Sequence, residues 1–219
     1  MNRPANPSFA RPRIATLVLP LFAPIAFALG ACAPGGDPQQ GDVTAVDPGE
    51  PPLAGATIGG DFELVNSSGE TVRWDDFEGR YRIVYFGYAY CPDVCPTDMQ
   101  RTIQGLNQFA EQAPARAEQV QPIFVSVDPE RDTPEVLREF TGAFSEDLIG
   151  LTGTPEQVKA AADTFGVAYQ KGAETSSGGY LVGHTNIVYL FGPEGEPIAT
   201  LPVDLGADAV TDELAKWVS

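Results

Sequence analysis

Two cysteines with three residues between them, in Cys91-Pro92-Asp93-Val94-Cys95-Pro96, and the chain's single histidine, His184, are the side chains here best suited to chemistry. A third cysteine, Cys32, has a separate expected role, described below. Two thiolates and one imidazole suit a soft, low-coordinate ion such as Cu(I), and the same set with an added water or oxygen suits Cu(II). A structural zinc site wants four ligands, and Asp93 would be a poor fourth beside two thiolates. The two thiols could instead cycle between dithiol and disulfide. Dithiol redox motifs commonly have two intervening residues; the three here fit a chelate more easily without forbidding an intramolecular Cys91–Cys95 disulfide on oxidation. A loop this small gains little as a structural staple. Metal carriage and thiol redox chemistry are therefore both open at this point.

These residues need elements to hold them. Residues 82–86 (Arg-Ile-Val-Tyr-Phe) read as a buried central strand. The cysteine motif follows, then a helix expected over residues 97–112. Cys91 then falls just before the helix and Cys95 in or near its first turn, where Pro96 is tolerated because first-turn N–H groups have no intrahelical partner. Partly helical backbone would bring both sulfurs to one side. The helix N-terminus is expected to stabilise a thiolate and lower its pKa. His184 is expected to follow a loop-like stretch, residues 178–183, and to precede a strand. Ligands in α/β folds tend to collect in such loops bordering the sheet.

The rest of the chain alternates in the same manner. Residues 62–65 and 71–74 flank a polar, glycine-containing loop and read as a β-hairpin. Residues 122–127 read as a second buried strand and 148–151 as a brief one. Thr133-Pro134-Glu135 and Thr154-Pro155-Glu156 each open a helix, with threonine as cap and proline in the first turn. Residues 187–191 and 197–201 pair around Gly192-Pro193-Glu194-Gly195, and a last helix spans 207–218. The expected fold is α/β: a mixed central sheet with helices on both faces and an N-terminal β-hairpin.

Ahead of this domain lies an export signal. Residues 1–31 hold Arg3, Arg11 and Arg13, no acidic residue, and an apolar run interrupted by Pro20 and Pro24. A membrane-spanning helix needs about 20 apolar residues, so the run fits a signal peptide better. Leu29-Gly30-Ala31-Cys32 resembles a bacterial lipobox, in which cleavage leaves Cys32 as a lipid-modified N-terminus. The expected domains are a signal at 1–31, a Pro/Gly/Asp/Gln-rich tether at 32–54 and one compact domain at 55–219. The protein is expected to be an exported bacterial lipoprotein, anchored to a membrane and facing the periplasm or extracytoplasmic space. Three of the 13 basic residues fall in the signal, leaving 10 against 30 acidic residues, a net charge of −20. Such a surface repels nucleic acid and anionic lipid headgroups and favours cations or basic partner patches.

Three segments together resemble one family. Residues 85–96 (Tyr-Phe-Gly-Tyr-Ala-Tyr-Cys-Pro-Asp-Val-Cys-Pro), 124–134 (Phe-Val-Ser-Val-Asp-Pro-Glu-Arg-Asp-Thr-Pro) and 149–154 (Ile-Gly-Leu-Thr-Gly-Thr) look like blocks of the Sco/SenC family of copper-binding assembly proteins. The resemblance runs in order from about residue 57 to 218. It implies a thioredoxin-like fold and one copper ion per chain bound by Cys91, Cys95 and His184. It also implies a role in supplying copper to cytochrome c oxidase, with the copper-bearing subunit as partner and other periplasmic copper chaperones as further partners. Family members also have, or are proposed to have, thiol–disulfide activity toward that copper centre. One departure stands out. The family usually carries aspartate before the histidine, where this chain has Gly183, and its loss removes an expected anchor for the imidazole or its loop.

Two readings follow. In the first the chain is a metallochaperone, with no catalytic residue. In the second it is a thiol–disulfide oxidoreductase whose redox pair is Cys91 and Cys95, and His184 is incidental. A thiol peroxidase of the same architecture would need proline seven and threonine three residues before the reactive cysteine; those positions are Val84 and Tyr88.

Overall fold

A computed structural model describes residues 49–174 and 179–219. The expectations for residues 1–48, among them the signal, Cys32 and most of the tether, lie outside the described residues. In chain order the elements are β1 (Glu63–Asn66), β2 (Thr71–Arg73), β3 (Tyr81–Gly87), α1 (Val94–Gln112), α2 (Pro114–Ala117) and β4 (Val120–Ser126). They continue with α3 (Pro134–Gly142), β5 (Ile149–Thr152), α4 (Pro155–Thr164), β6 (Tyr169–Lys171), β7 (Val182–His184), β8 (Val188–Phe191), β9 (Pro197–Leu201) and α5 (Ala207–Trp217).

The main sheet has the order β2-β1-β5-β4-β3-β8-β9. Strands β3, β4 and β5 are mutually parallel, whereas β1, β8 and β9 join antiparallel. Every residue of β3 and β4 is buried. That explains their near-continuous apolar runs, because a parallel strand between two helical layers has no wet face. Successive side chains of β3 show both layers. Tyr85 donates a hydrogen bond to Asp98 of α1 (3.2 Å), while Phe86 stacks on Phe165, just past α4, at 5.2 Å between ring centroids. Adjacent strand residues point to opposite faces, so helices cover both sides of the sheet. Helix α5 lies against α1 at Gly105, where a Cβ would come within 2.6 Å of Val210. The β3–α1–β4 unit with the antiparallel β8–β9 pair and closing α5 makes the fold thioredoxin-like, with β1–β2 as an added hairpin.

The two Thr-Pro starts behave as expected. Thr133 caps α3 by accepting from the Val136 N–H, and Thr154 forms a reciprocal capping box with Gln157 on α4. Two features differ from expectation. Helix α1 begins at Val94, three residues early, which places Pro96 third in the helix, where a missing N–H still breaks no intrahelical bond. The approach to His184 is not loop alone: β6 and β7 form a separate two-stranded ribbon pairing Tyr169 with His184 and Lys171 with Val182. Three-residue strands, one containing Gly183, carry too little alternation to be visible as a pattern. Within the stretch read as tether, the Leu53 N–H already donates to the Ile198 carbonyl of β9 (3.0 Å). No helix among the described residues is long and apolar enough to cross a membrane.

Candidate metal centre

Strand β3 delivers the chain to the centre and α1 carries it away. At the strand's end Gly87 keeps a ladder-like contact to β4 and leaves a space. Its carbonyl accepts from the Val127 N–H (2.8 Å), and a Cβ on it would stand 3.1 Å from the Cys95 sulfur and 2.7 Å from the Tyr85 ring. Glycine is therefore what lets Cys95 sit down on the sheet. The loop that follows is tied at both ends. The Ala89 N–H donates to Asp132 Oδ2 (2.9 Å), and the Cys91 N–H donates to the Tyr88 carbonyl (3.1 Å). The Cys95 N–H then points at Cys91 Sγ (3.4 Å), an orphan donor of the first helical turn turned toward the other sulfur.

The ribbon brings in the third residue. His184 ends β7, and its Nε2 lies 3.3 Å from Cys95 Sγ. Its Nδ1 is 3.1 Å from the Thr185 carbonyl oxygen. A carbonyl can only accept, so Nδ1 carries the proton and Nε2 is left with a lone pair facing the thiol. Tyr85 and Tyr88 stand edge-on to the imidazole, at 6.1 and 5.9 Å between ring centroids. The two sulfurs and the imidazole nitrogen all lie within 4.8 Å of one another, the one such His/Cys/carboxylate group among the described residues. The structure thus gathers the three residues singled out by sequence, 89 positions apart at the widest hydrogen-bonded pair. Asp93 is exposed and stays outside the group.

The electrostatics correct one expectation. Cys95 is fully buried, and burial pushes its thiol well above the ordinary range, with Cys91 beside it raising it further. A helix N-terminus contributes under about 1 kcal/mol at an ordinary site, whereas full burial can move a pKa by several units, so desolvation wins at Cys95. Burial likewise raises Tyr85 and Asp98. Cys95 thus presents a protonated thiol to the imidazole lone pair. A metal ion must displace that proton to gain the sulfur, which couples uptake to pH. Both cysteines are free. The donor set of two soft sulfurs and one imidazole suits a soft ion of low coordination number and falls short of a four-ligand structural zinc site.

Gly183 shows what replaces the missing aspartate. It is exposed and pairs with Gln170 in the ribbon, and a Cβ on it would meet only the Gln170 carbonyl oxygen at 3.9 Å. The imidazole is oriented instead by the main chain of Thr185. Sequence reasoning missed the surrounding polar frame of Tyr85, Asp98, Asp132 and Arg131. The clustering of tyrosines ahead of Cys91 was a signal for part of it; the pairing of Asp132 with the loop was not visible without the fold.

Comparison with known proteins places the chain in a family. A family model described as SCO1/SenC matches residues 50–219. The Arabidopsis thaliana mitochondrial protein SCO1 homolog 1 is 38% identical over 170 residues, covering 77% of this chain and 50% of that protein. Protein SenC of Rhodobacter capsulatus is 45% identical over 141 residues, covering 64% of this chain and 62% of that protein. The matched region therefore spans half to under two thirds of these relatives. The crystal structure of Arabidopsis thaliana ScoI with copper bound matches with a TM-score of 0.68 at 36% identity, covering 73% of this chain and 97% of that one.

Proposed function

Because the chain belongs to the SCO1/SenC family, as the match over residues 50–219 shows, we propose that it is a metallochaperone whose cargo is copper. One ion per chain is held by Cys91, Cys95 and His184 and passed on during copper-centre assembly in a cytochrome c oxidase. The single observation that carries this reading is the His184 imidazole, turned by Thr185 so that its free Nε2 faces Cys95 Sγ. A thiol redox enzyme has no need of a distant imidazole at that place. The copper-bound plant relative supports the choice of metal. The two thiolates supply the soft donors for Cu(I), and the imidazole adds the harder donor that Cu(II) favours. Cys95 and its neighbours exclude water, so release needs a partner that offers its own thiolates or imidazoles at the open side of the loop.

Export with lipid attachment at Cys32 belongs to the same proposal. The tether would hold the domain at the membrane surface, where an oxidase subunit presents its copper site. The high negative charge favours a basic docking face on that partner.

The second reading, a thiol–disulfide oxidoreductase acting on the oxidase's copper-site cysteines, is favoured by two free thiols within 4.8 Å. His184→Ala separates the two. In cells limited for copper the carrier reading expects lost oxidase activity, at least partly restored by added copper. Normal oxidase assembly by His184→Ala at limiting copper would favour the reductase.

A further inference from the structure

The centre is assembled from two parts that are far apart in sequence, and one side chain bridges them. Arg131 sits in the turn after β4. Its Nε donates to Asp128 Oδ2 (2.5 Å), and its Nη1 donates to the carbonyl oxygen of Tyr180 (3.0 Å), four residues before His184. The guanidinium lies 3.6 Å from the Tyr180 ring centroid. On the cysteine side it stands 5.6 Å from the Tyr88 ring and 5.3 Å from the Tyr90 ring. Tyr88 in turn meets the His184 imidazole edge-on. The Tyr180 hydroxyl closes the cluster by donating to Asp128 Oδ1 (2.7 Å).

We infer that Arg131 is the positioning residue that holds the His184 strand against the cysteine loop. Apart from Arg131, the ribbon is held by the exposed Lys171–Glu130 ion pair and by Val182 and Tyr169 packing on the core, and none of these sets the direction of the His184 ring. The β6–β7 ribbon is separate from the main sheet and pairs only three residues on each strand. A two-stranded ribbon this short is marginal alone. Arg131 can act in both directions because its planar fork hydrogen-bonds along its edge while its faces stack on rings. A lysine keeps the charge and the pairing with Asp128, and loses the fork and the stacking plane. The inference rests on the copper-carrier reading only for its functional consequence; the placement of the imidazole is a property of the metal-free protein.

The test compares wild type, Arg131→Ala, Arg131→Lys and His184→Ala in the reduced full chain. His184 is the only histidine, so one imidazole NMR signal reports its tautomer and surroundings without ambiguity. We expect both Arg131 variants to shift or broaden that signal in metal-free protein. We expect Cu(I) uptake by the two thiols to survive. Cu(II) binding should weaken about 10- to 100-fold, the usual cost of losing an outer-sphere partner, with an altered Cu(II) spectrum. Arg131→Lys should keep near-wild-type thermal stability and still lose the Cu(II) signature, which a merely stabilising role would not produce. An unchanged imidazole signal and unchanged Cu(II) spectrum in folded Arg131→Lys would overturn the inference. If His184→Ala binds copper as wild type does, the carrier reading fails, and the metal-free imidazole signal alone decides the role of Arg131.

Discussion

His184 places Nε2 3.3 Å from Cys95 Sγ while Thr185, its own neighbour, accepts from Nδ1 through the main chain. The ligand face of the ring is thereby set by the strand's backbone path rather than by an acidic side chain. This makes the centre tolerant at Gly183 and sensitive to whatever holds the ribbon in place.

Both sulfurs are needed for a soft ion, so Cys91→Ser and Cys95→Ser should each abolish stoichiometric copper uptake by reduced protein. Metal analysis after gel filtration checks it; one ion per chain in both variants would refute the assignment of the sulfurs.

Oxidation and metallation compete for the same thiols. Oxidised protein is expected to contain an intramolecular Cys91–Cys95 disulfide and to take up no copper through sulfur. Mass spectrometry before and after alkylation reads this directly, and two alkylated thiols after oxidation would count against it.

Copper affinity should depend on pH in a defined direction. Burial raises the Cys95 thiol above its ordinary value, so Cys95 is protonated throughout the neutral range and releases its proton on loading. Affinity for copper should therefore rise with pH by about tenfold per unit for each proton released, without levelling off at pH 7 to 8. Competition titrations across pH 6 to 8 test the sign; a flat profile would show Cys95 to be already a thiolate.

Gly87→Ala should damage the centre from beneath. Its methyl would press on the Tyr85 ring at 2.7 Å and on Cys95 Sγ at 3.1 Å, in a strand with no exposed residue. Overpacking of this kind costs roughly 1–3 kcal/mol. Denaturant unfolding should show that loss, together with weaker copper binding. Wild-type values for both would mean that the sulfur does not rest on the strand.

Gly183→Asp has open space and no strained backbone, so it should fold normally. With Nδ1 already held by Thr185, Cu(II) affinity should tighten slightly or stay the same. A marked loss would show that the ribbon's geometry, and not the aspartate, distinguishes this chain.

Much of this was legible in sequence for a physical reason. Residues 82–86 and 122–127 are buried on both faces, and the Thr-Pro pairs at 133–134 and 154–155 use local capping chemistry, so their signals are short-range. The three metal-ligand candidates stood out because soft donors are scarce. The ribbon bearing His184 was not legible, since three-residue strands have no period to detect. Nor was the burial of Cys95, which depends on the missing side chain of Gly87, or the bridge from Arg131 to Tyr180 across 49 residues.

The central claim is that His184 is a copper ligand, and anaerobic titration of reduced wild type beside His184→Ala tests it most directly. Wild type should saturate at one copper per chain and, as the Cu(II) complex, show sulfur-to-copper charge-transfer absorption. His184→Ala should keep its fold and its dithiol/disulfide cycle, retain Cu(I) on the two thiolates, and bind Cu(II) far more weakly with an altered spectrum. Cu(II) binding and spectrum identical to wild type in folded His184→Ala would contradict the account and leave the cysteine pair to act alone.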